Sequence, residues 1–225
     1  MSDLKIFMVG PVAAGKTVFA YMLDCYINAH PECGAVSKTA DWDTKEYFAI
    51  IGKAFGKEPW WPSRTERGAL IELKWEWEFG DRRAFFDLVD PPGEDIEREL
   101  KGKANDLGIL NKIRAADVVF VLMDLVGHQD DEPIKRAQNA WIVENVLRNA
   151  AAVRQVVIGV SKGDMMKHRL PDSSWADKEQ LIALISDMMP EFNISAYRQQ
   201  LARLNVRMVM FSAVGTVPYL DEKKF

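Results

Sequence analysis

The residues Gly10-Pro11-Val12-Ala13-Ala14-Gly15-Lys16-Thr17 keep the spacing G-x-x-x-x-G-K-[ST], and each residue type in that pattern has a task on a phosphate chain. Glycines let the backbone curl so that several N–H groups converge on one anion. Lys16 can bring its ammonium to the β and γ phosphates of a nucleoside triphosphate, and Thr17 can place a hydroxyl on Mg²⁺. Val12, Ala13, Ala14 and Val18 complete the contact set expected of such a loop. The chemistry requires a strand before the loop and a helix after it, because the helix N-terminus adds its dipole to the amides. The flanking sequence meets that requirement: Leu4 to Val9 is a buried-strand pattern, and Lys16 to Asn28 reads as a helix.

Three further stations carry chemistry of the same kind. In Asp87-Leu88-Val89-Asp90-Pro91-Pro92-Gly93, a carboxylate at the end of a strand beside the loop strand can hold Mg²⁺ through water, and a glycine amide can meet the γ-phosphate. Asp90 and Gly93 are the candidates. In Ser161-Lys162-Gly163-Asp164, a carboxylate after a buried strand can accept two hydrogen bonds from the N1–H and N2–H₂ edge of guanine, which adenine does not offer. Asp164 is thus the candidate base reader, with Lys162 along the base and ribose and Ser161 anchoring the turn. Ser212-Ala213-Val214 ends another strand, where the Ala213 amide can meet the guanine O6.

Short apolar runs alternating with longer amphipathic stretches must position these groups, the pattern of a parallel sheet covered by helices on both faces. Besides Leu4 to Val9, the strand candidates are Ala84 to Val89, Asp117 to Met123, Gln155 to Ser161 and Val206 to Ser212. Leu70 to Phe79 alternates apolar and polar residues, as a strand with one wet face does, and Gly80-Asp81 turns it back as an antiparallel hairpin. Helices are predicted at Lys16 to Asn28, Pro133 to Ala151 and Lys178 to Met189, the last with Leu181, Leu184, Ile185 and Met188 as a core stripe. The expected fold class is α/β: a doubly wound, mostly parallel sheet of about six strands with one antiparallel hairpin. A single domain over residues 1–225 is expected, with an insertion at about 41–62 that holds a short helical pattern ending at Gly56 and then Pro59-Trp60-Trp61-Pro62. The tryptophan pair fits a local core better than an interaction anchor.

Bulk properties narrow the function. The chain has 225 residues, is 48% hydrophobic and 28% charged, and carries a net charge of −4, which argues against nucleic-acid or membrane-surface binding driven by bulk charge. With Cys25 and Cys33 as the only cysteines, no disulfide framework is expected, and the reducing cytoplasm is the expected compartment. No apolar run reaches the roughly 18 to 20 residues of a membrane span, and neither a myristoylation start nor a CaaX end is present, so no direct membrane anchor is expected. His30, His128 and His168 lack metal-ligand spacing, so no zinc site is expected.

In this order, each at the carboxyl end of a strand, the four stations resemble the translation-factor and Ras-like class of P-loop GTPases, over nearly the whole chain. The long segment after the first helix and the D-P-P-G-E sequence look like the bacterial conflict-system "double" GTPases. The resemblance implies GTP and GDP as substrate and product, Mg²⁺ as cofactor, and a switch role. It implies a threonine capping Mg²⁺ shortly before the hairpin: Thr65 fits best, with Thr39 and Thr44 as alternatives. Members of the class usually carry a glutamine after the third-strand glycine to orient water. Here Glu94 stands there, and its charge beside the γ-phosphate makes slow hydrolysis the expectation. The catalytic set implied is Lys16, Thr65 and Glu94, and the metal set Thr17, Thr65 and Asp90. Val12 would crowd an arginine delivered in trans, and Arg64 or Arg67 could supply that charge in cis, although surface arginines are the plainer reading. Ser161 replaces the usual Asn or Thr, with fewer hydrogen bonds to tie its loop to the phosphate loop. The chain stops at Phe225, where the class adds a final helix, so a protein partner or second copy is expected to cover that face. A GTP-binding scaffold subunit with little or no hydrolysis is the alternative; a small-molecule kinase is disfavoured because it gives Asp164 and Ser212-Ala213 no role.

Overall fold

In the computed structural model the described residues are 4–11, 14–39, 42–55, 71–90, 108–124, 133–161 and 205–210, with Ala183 and Ser186. Seven strands form one sheet: β1 (Leu4–Val9), β2 (Val36–Thr39), β3 (Ile71–Phe79), β4 (Arg82–Asp90), β5 (Val118–Asp124), β6 (Gln155–Ser161) and β7 (Asn205–Met210). Their order is β2-β3-β4-β1-β5-β6-β7. β1 pairs in parallel with β4 and β5, β5 with β6, and β6 with β7, while β3 is antiparallel to both β2 and β4. Helices α1 (Lys16–Ala29), α2 (Trp42–Phe55), α3 (Ile109–Ala115) and α4 (Pro133–Asn149) join these strands. The fold is a doubly wound, mostly parallel α/β sheet.

Each face of the sheet has its own core, because successive side chains of a strand point to opposite sides. On one face Phe7 and Val9 of β1, with the odd-numbered valines of β5, pack against Ile113 of α3 and Val143, Val146 and Leu147 of α4. On the other, Met8 joins Leu73, Trp75, Trp77, Phe86, Leu88, Ala20 of α1 and Phe48 of α2. The second core is aromatic: Trp75 stacks on Phe86 at 4.3 Å between ring centroids and meets Phe48 edge-on at 5.5 Å, geometries that ring quadrupoles favour. The alternation read in Leu70 to Phe79 is realised, since Leu73, Trp75 and Trp77 are buried while Lys74, Glu76 and Glu78 face outward.

The sheet has one strand more than expected. Val36–Thr39 is too short to show a period, and it forms a strand because the hairpin offers it an edge: Val36 pairs with Glu78 and Thr39 with Trp75. Helix α2, within the expected insertion, continues the work where β2 stops. Its Thr44 is fully buried, and the hydroxyl both accepts from the Lys74 N–H at 3.0 Å and donates to the Lys74 carbonyl at 3.3 Å. One side chain thereby serves both polar groups of a β3 residue that lies, among the described residues, just past the last β2–β3 pair. Of the expected helix Lys178 to Met189, Ala183 and Ser186 are described, and both are helical; its apolar stripe and the Trp60-Trp61 pair lie outside the described residues. The short helix α3 has no counterpart among the expected elements. Among the described residues no helix is long and apolar enough to cross a membrane.

Replacing Thr44 with valine keeps the shape but removes the hydroxyl from the part-buried Lys74 N–H and carbonyl, so a loss of about 1 to 3 kcal/mol is expected in urea unfolding. Thr44→Ser should recover most of it. Equal stability of the valine variant and the parent would show that Lys74 finds other partners.

Candidate functional site

Strand β1 is the switch point of the sheet. The chain leaves it to build β2, β3 and β4 on one side, then crosses by α3 to build β5, β6 and β7 on the other. In such sheets a crevice opens at the carboxyl end of the strand where the winding reverses. The loop that fills it begins at Gly10, whose backbone passes β5 so closely that a Cβ there would lie 2.4 Å from the Leu122 carbonyl oxygen. Only glycine fits. At the other end Gly15 has φ 80° and ψ 21°, the left-handed region that costs a non-glycine residue energy. Both glycines of the sequence pattern therefore have a structural reason to be there.

Between them the loop closes on itself. The Ala14 N–H donates to the Pro11 carbonyl at 3.3 Å. Lys16, the first residue of α1, is 2% exposed, and its Nζ donates to the carbonyls of Gly10 at 3.1 Å and Pro11 at 2.8 Å. A buried ammonium needs such acceptors. The ammonium is thus held against the backbone of the loop. Thr17 is buried beside it. Helix α1 has no side-chain cap at Gly15 and no acidic residue in its first turn, so its leading amides and the positive end of its dipole face the loop uncountered by carboxylates of that turn.

The ends of the neighbouring strands lie around this loop. Leu88 of β4 pairs with Met8 of β1, so Asp90, the last residue of β4, reaches the level of Gly10; its side chain lies outside what is described. Ser161 ends β6, is 4% exposed, and its hydroxyl donates to the Met123 carbonyl of β5 at 3.0 Å. The sequence reading has this serine tie its turn to the phosphate loop. Its hydroxyl is on the adjacent strand instead, because Oγ sits one bond beyond Cβ and the Met123 carbonyl is the acceptor within that reach. Thr44, an alternative for the Mg²⁺-capping threonine, uses its hydroxyl on the Lys74 backbone, and Thr39 lies in β2. Val12, Ala13, Thr65, Gly93, Glu94, Lys162, Asp164, Ser212, Ala213 and Val214 lie outside the described residues, whereas Gly10, Ala14, Gly15, Lys16, Thr17 and Val18 are described together as one loop and helix start.

Two residues at this edge of the sheet escaped the sequence reading. Asp124 ends β5 opposite Ser161, and Asn139 of α4, 1% exposed, donates from Nδ2 to the Asp124 carbonyl at 3.2 Å. A signal existed for the first: Asp124 ends an apolar run just as Asp90 does. Asn139 gave none, since its burial depends on how α4 meets β5.

The oxygen donors suit Mg²⁺, a hard cation that takes one or two protein groups and completes its shell with water and phosphate. The described candidates for such a role are Thr17, buried at the start of α1, and Asp90, whose backbone lies at the level of the loop. Among the described residues no group of three or more His, Cys, Asp or Glu side chains could hold a metal by itself.

No protein-family model and no curated protein matches the sequence. Among solved structures the chain is similar, at 15% identity and a TM-score of 0.43, to the bacterial selenocysteine-specific elongation factor EF-Sec, with 95% of this chain and 26% of that chain covered. At 15% identity and a TM-score of 0.49 it is similar to the small COPII coat GTPase SAR1 from Encephalitozoon cuniculi in complex with GDP, covering 96% of this chain and 71% of that one. The signal recognition particle receptor SRb-GTP/SRX complex from Chaetomium thermophilum is similar at 15% identity and a TM-score of 0.49, with 99% and 96% covered. The chain spans about a quarter of the elongation factor's length.

Gly10→Ala tests the close passage. Backbone, not a flexible side chain, stands in the way of the new methyl, so the loop or β5 must shift, and a destabilisation of about 1 to 3 kcal/mol is expected in thermal or urea unfolding. An alanine variant as stable as the parent would show that the loop leaves β1 by another path.

Proposed function

We propose that this chain binds GTP with Mg²⁺ in the loop Gly10 to Thr17 and hydrolyses it slowly, acting as a nucleotide-dependent switch in the cytoplasm. The observation that carries the reading is the placement of Lys16: a buried ammonium on the carbonyls of Gly10 and Pro11, at an uncapped helix start, in a crevice where the sheet reverses its winding. A triphosphate laid in this loop receives the leading amides of α1, and the ammonium exchanges a carbonyl for a phosphate oxygen. Bound Mg²⁺ would supply charge neutralisation on the phosphates, with Thr17, Asp90 and Thr65 as its protein-side holders. Gly93 would give its amide to the γ-phosphate. Guanine selectivity rests on Asp164, with Lys162 and the amides of Ser212 to Val214 around the base. Support for that assignment comes from Ser161, which fixes the start of the S-K-G-D turn to β5.

Nucleotide extracted from the purified protein should be guanosine phosphate by mass spectrometry, and calorimetry should show GTP binding well above ATP. Lys16→Ala removes a charge-assisted contact of about 1.5 to 3 kcal/mol and should weaken GTP with Mg²⁺ about ten- to a hundredfold. Asp164→Asn should weaken GTP more than ATP and favour xanthosine triphosphate. Comparable parent affinities for ATP and GTP would end the guanine assignment, and unchanged binding by Lys16→Ala would end the site.

A second reading, a GTP-binding scaffold subunit of a larger assembly, is favoured by Glu94 in place of a glutamine. Single-turnover hydrolysis separates the two. With a poorly placed carboxylate, Glu94→Gln should hydrolyse at least as fast as the parent, because an amide orients water without adding negative charge. If Glu94 acts as a base, the same change should cost about 10² to 10⁴-fold. Hydrolysis by neither protein above the buffer rate would establish the scaffold.

A further inference from the structure

The last two residues of β5, Met123 and Asp124, pair with Val160 and Ser161 of β6, and side chains reach the carbonyls of both. Ser161 Oγ donates to the Met123 carbonyl at 3.0 Å. Asn139 Nδ2, arriving from α4, donates to the Asp124 carbonyl at 3.2 Å. Two consecutive peptide groups are thus held from two sides, by the strand that leads into the S-K-G-D turn and by a helix packed on the sheet.

The residue type at position 139 carries the argument further. Asn139, Ile142, Val143, Val146 and Leu147 form a buried stripe along α4 at helical spacing, and every member after the first is a branched aliphatic. A leucine at the head of that stripe would extend the core, whereas an amide only 1% exposed gives up its water to be there. What the amide adds is direction. Apolar contact is non-directional, but a hydrogen bond to the Asp124 carbonyl fixes where the last peptide of β5 points.

The Met123 and Asp124 carbonyls belong to peptide planes that are each rigid and that share the Asp124 Cα. A rotation of the second plane therefore pulls on the first, and with it on the carbonyl that Ser161 holds. We propose that Asn139 is a positioning residue of the nucleotide site: through the Asp124 peptide it sets the end of β5, and through Ser161 the starting point of the turn that carries Lys162 and Asp164. The proposal rests on the guanine reading of Asp164. It goes beyond that reading by giving a residue of α4, outside the phosphate loop and the S-K-G-D turn, control over base selectivity.

The test compares GTP with inosine triphosphate, which lacks the exocyclic 2-amino group and so loses one of the two hydrogen bonds that a carboxylate reads, while its triphosphate is the same. Calorimetry on the full chain with Mg²⁺ should show the parent preferring GTP about ten- to a hundredfold. Asn139→Ala should narrow that preference at least about threefold with the affinity for inosine triphosphate nearly kept, because the turn loses its alignment and the phosphate loop does not. Ser161→Ala should narrow it likewise, and the double variant should lose less than the product of the single losses, as residues acting through one element do. Asn139→Ser, small enough to admit a water that bridges to the Asp124 carbonyl, should fall between, and it decides the matter if the alanine variant does not fold. Equal losses for the two nucleotides, or lower stability in urea with an unchanged preference, would overturn the proposal and leave the guanine reading intact. A parent that prefers GTP to neither inosine triphosphate nor ATP would end both.

Discussion

The passage of Gly10 under the carbonyl of Leu122, where a Cβ would come within 2.4 Å, is the constraint around which this molecule is organised. It lets β1 end flush against β5, and the loop therefore turns in the crevice instead of over it. From that position the Gly10 and Pro11 carbonyls face Lys16, and Gly15 can hand the chain to α1 in a left-handed conformation. A side chain at Gly10 would push apart the central strands on which both cores are built.

The two cores divide the labour. The face of α3 and α4 is filled mainly by branched aliphatic residues, which pack β5 and β6 densely and hold the strand ends Asp124 and Ser161 in register. The face of α1 and α2 is aromatic and carries the antiparallel part of the sheet, where wide rings span from α2 to β3 and β4. Polar backbone at its margin is satisfied locally: Thr44 serves Lys74 where β2 ends. A hydroxyl that looks available for chemistry in the sequence is in this way spent on holding an edge.

Much of the site was legible because its grammar is local. The G-x-x-x-x-G-K-[ST] spacing constrains a strand, a loop and a helix start that are contiguous in sequence, and Lys16 follows Gly15 whatever the rest of the fold does. The bond from Ser161 to Met123 and the burial of Asn139 against Asp124 were not legible, because each joins residues brought together by sheet pairing or by the seating of α4.

By itself the sequence determined most of the alternation of strands and helices, the wet and dry faces of β3, and the strand, loop and helix start around Gly10 to Thr17, since periodicity and backbone stereochemistry act within a few residues. Tertiary structure alone decided that Val36–Thr39 is a strand, that Thr44 is an edge cap, and that Ser161 is fastened to β5. Those outcomes depend on which unpaired backbone groups remain when the sheet is assembled, and hydrogen bonds between distant segments settle that account.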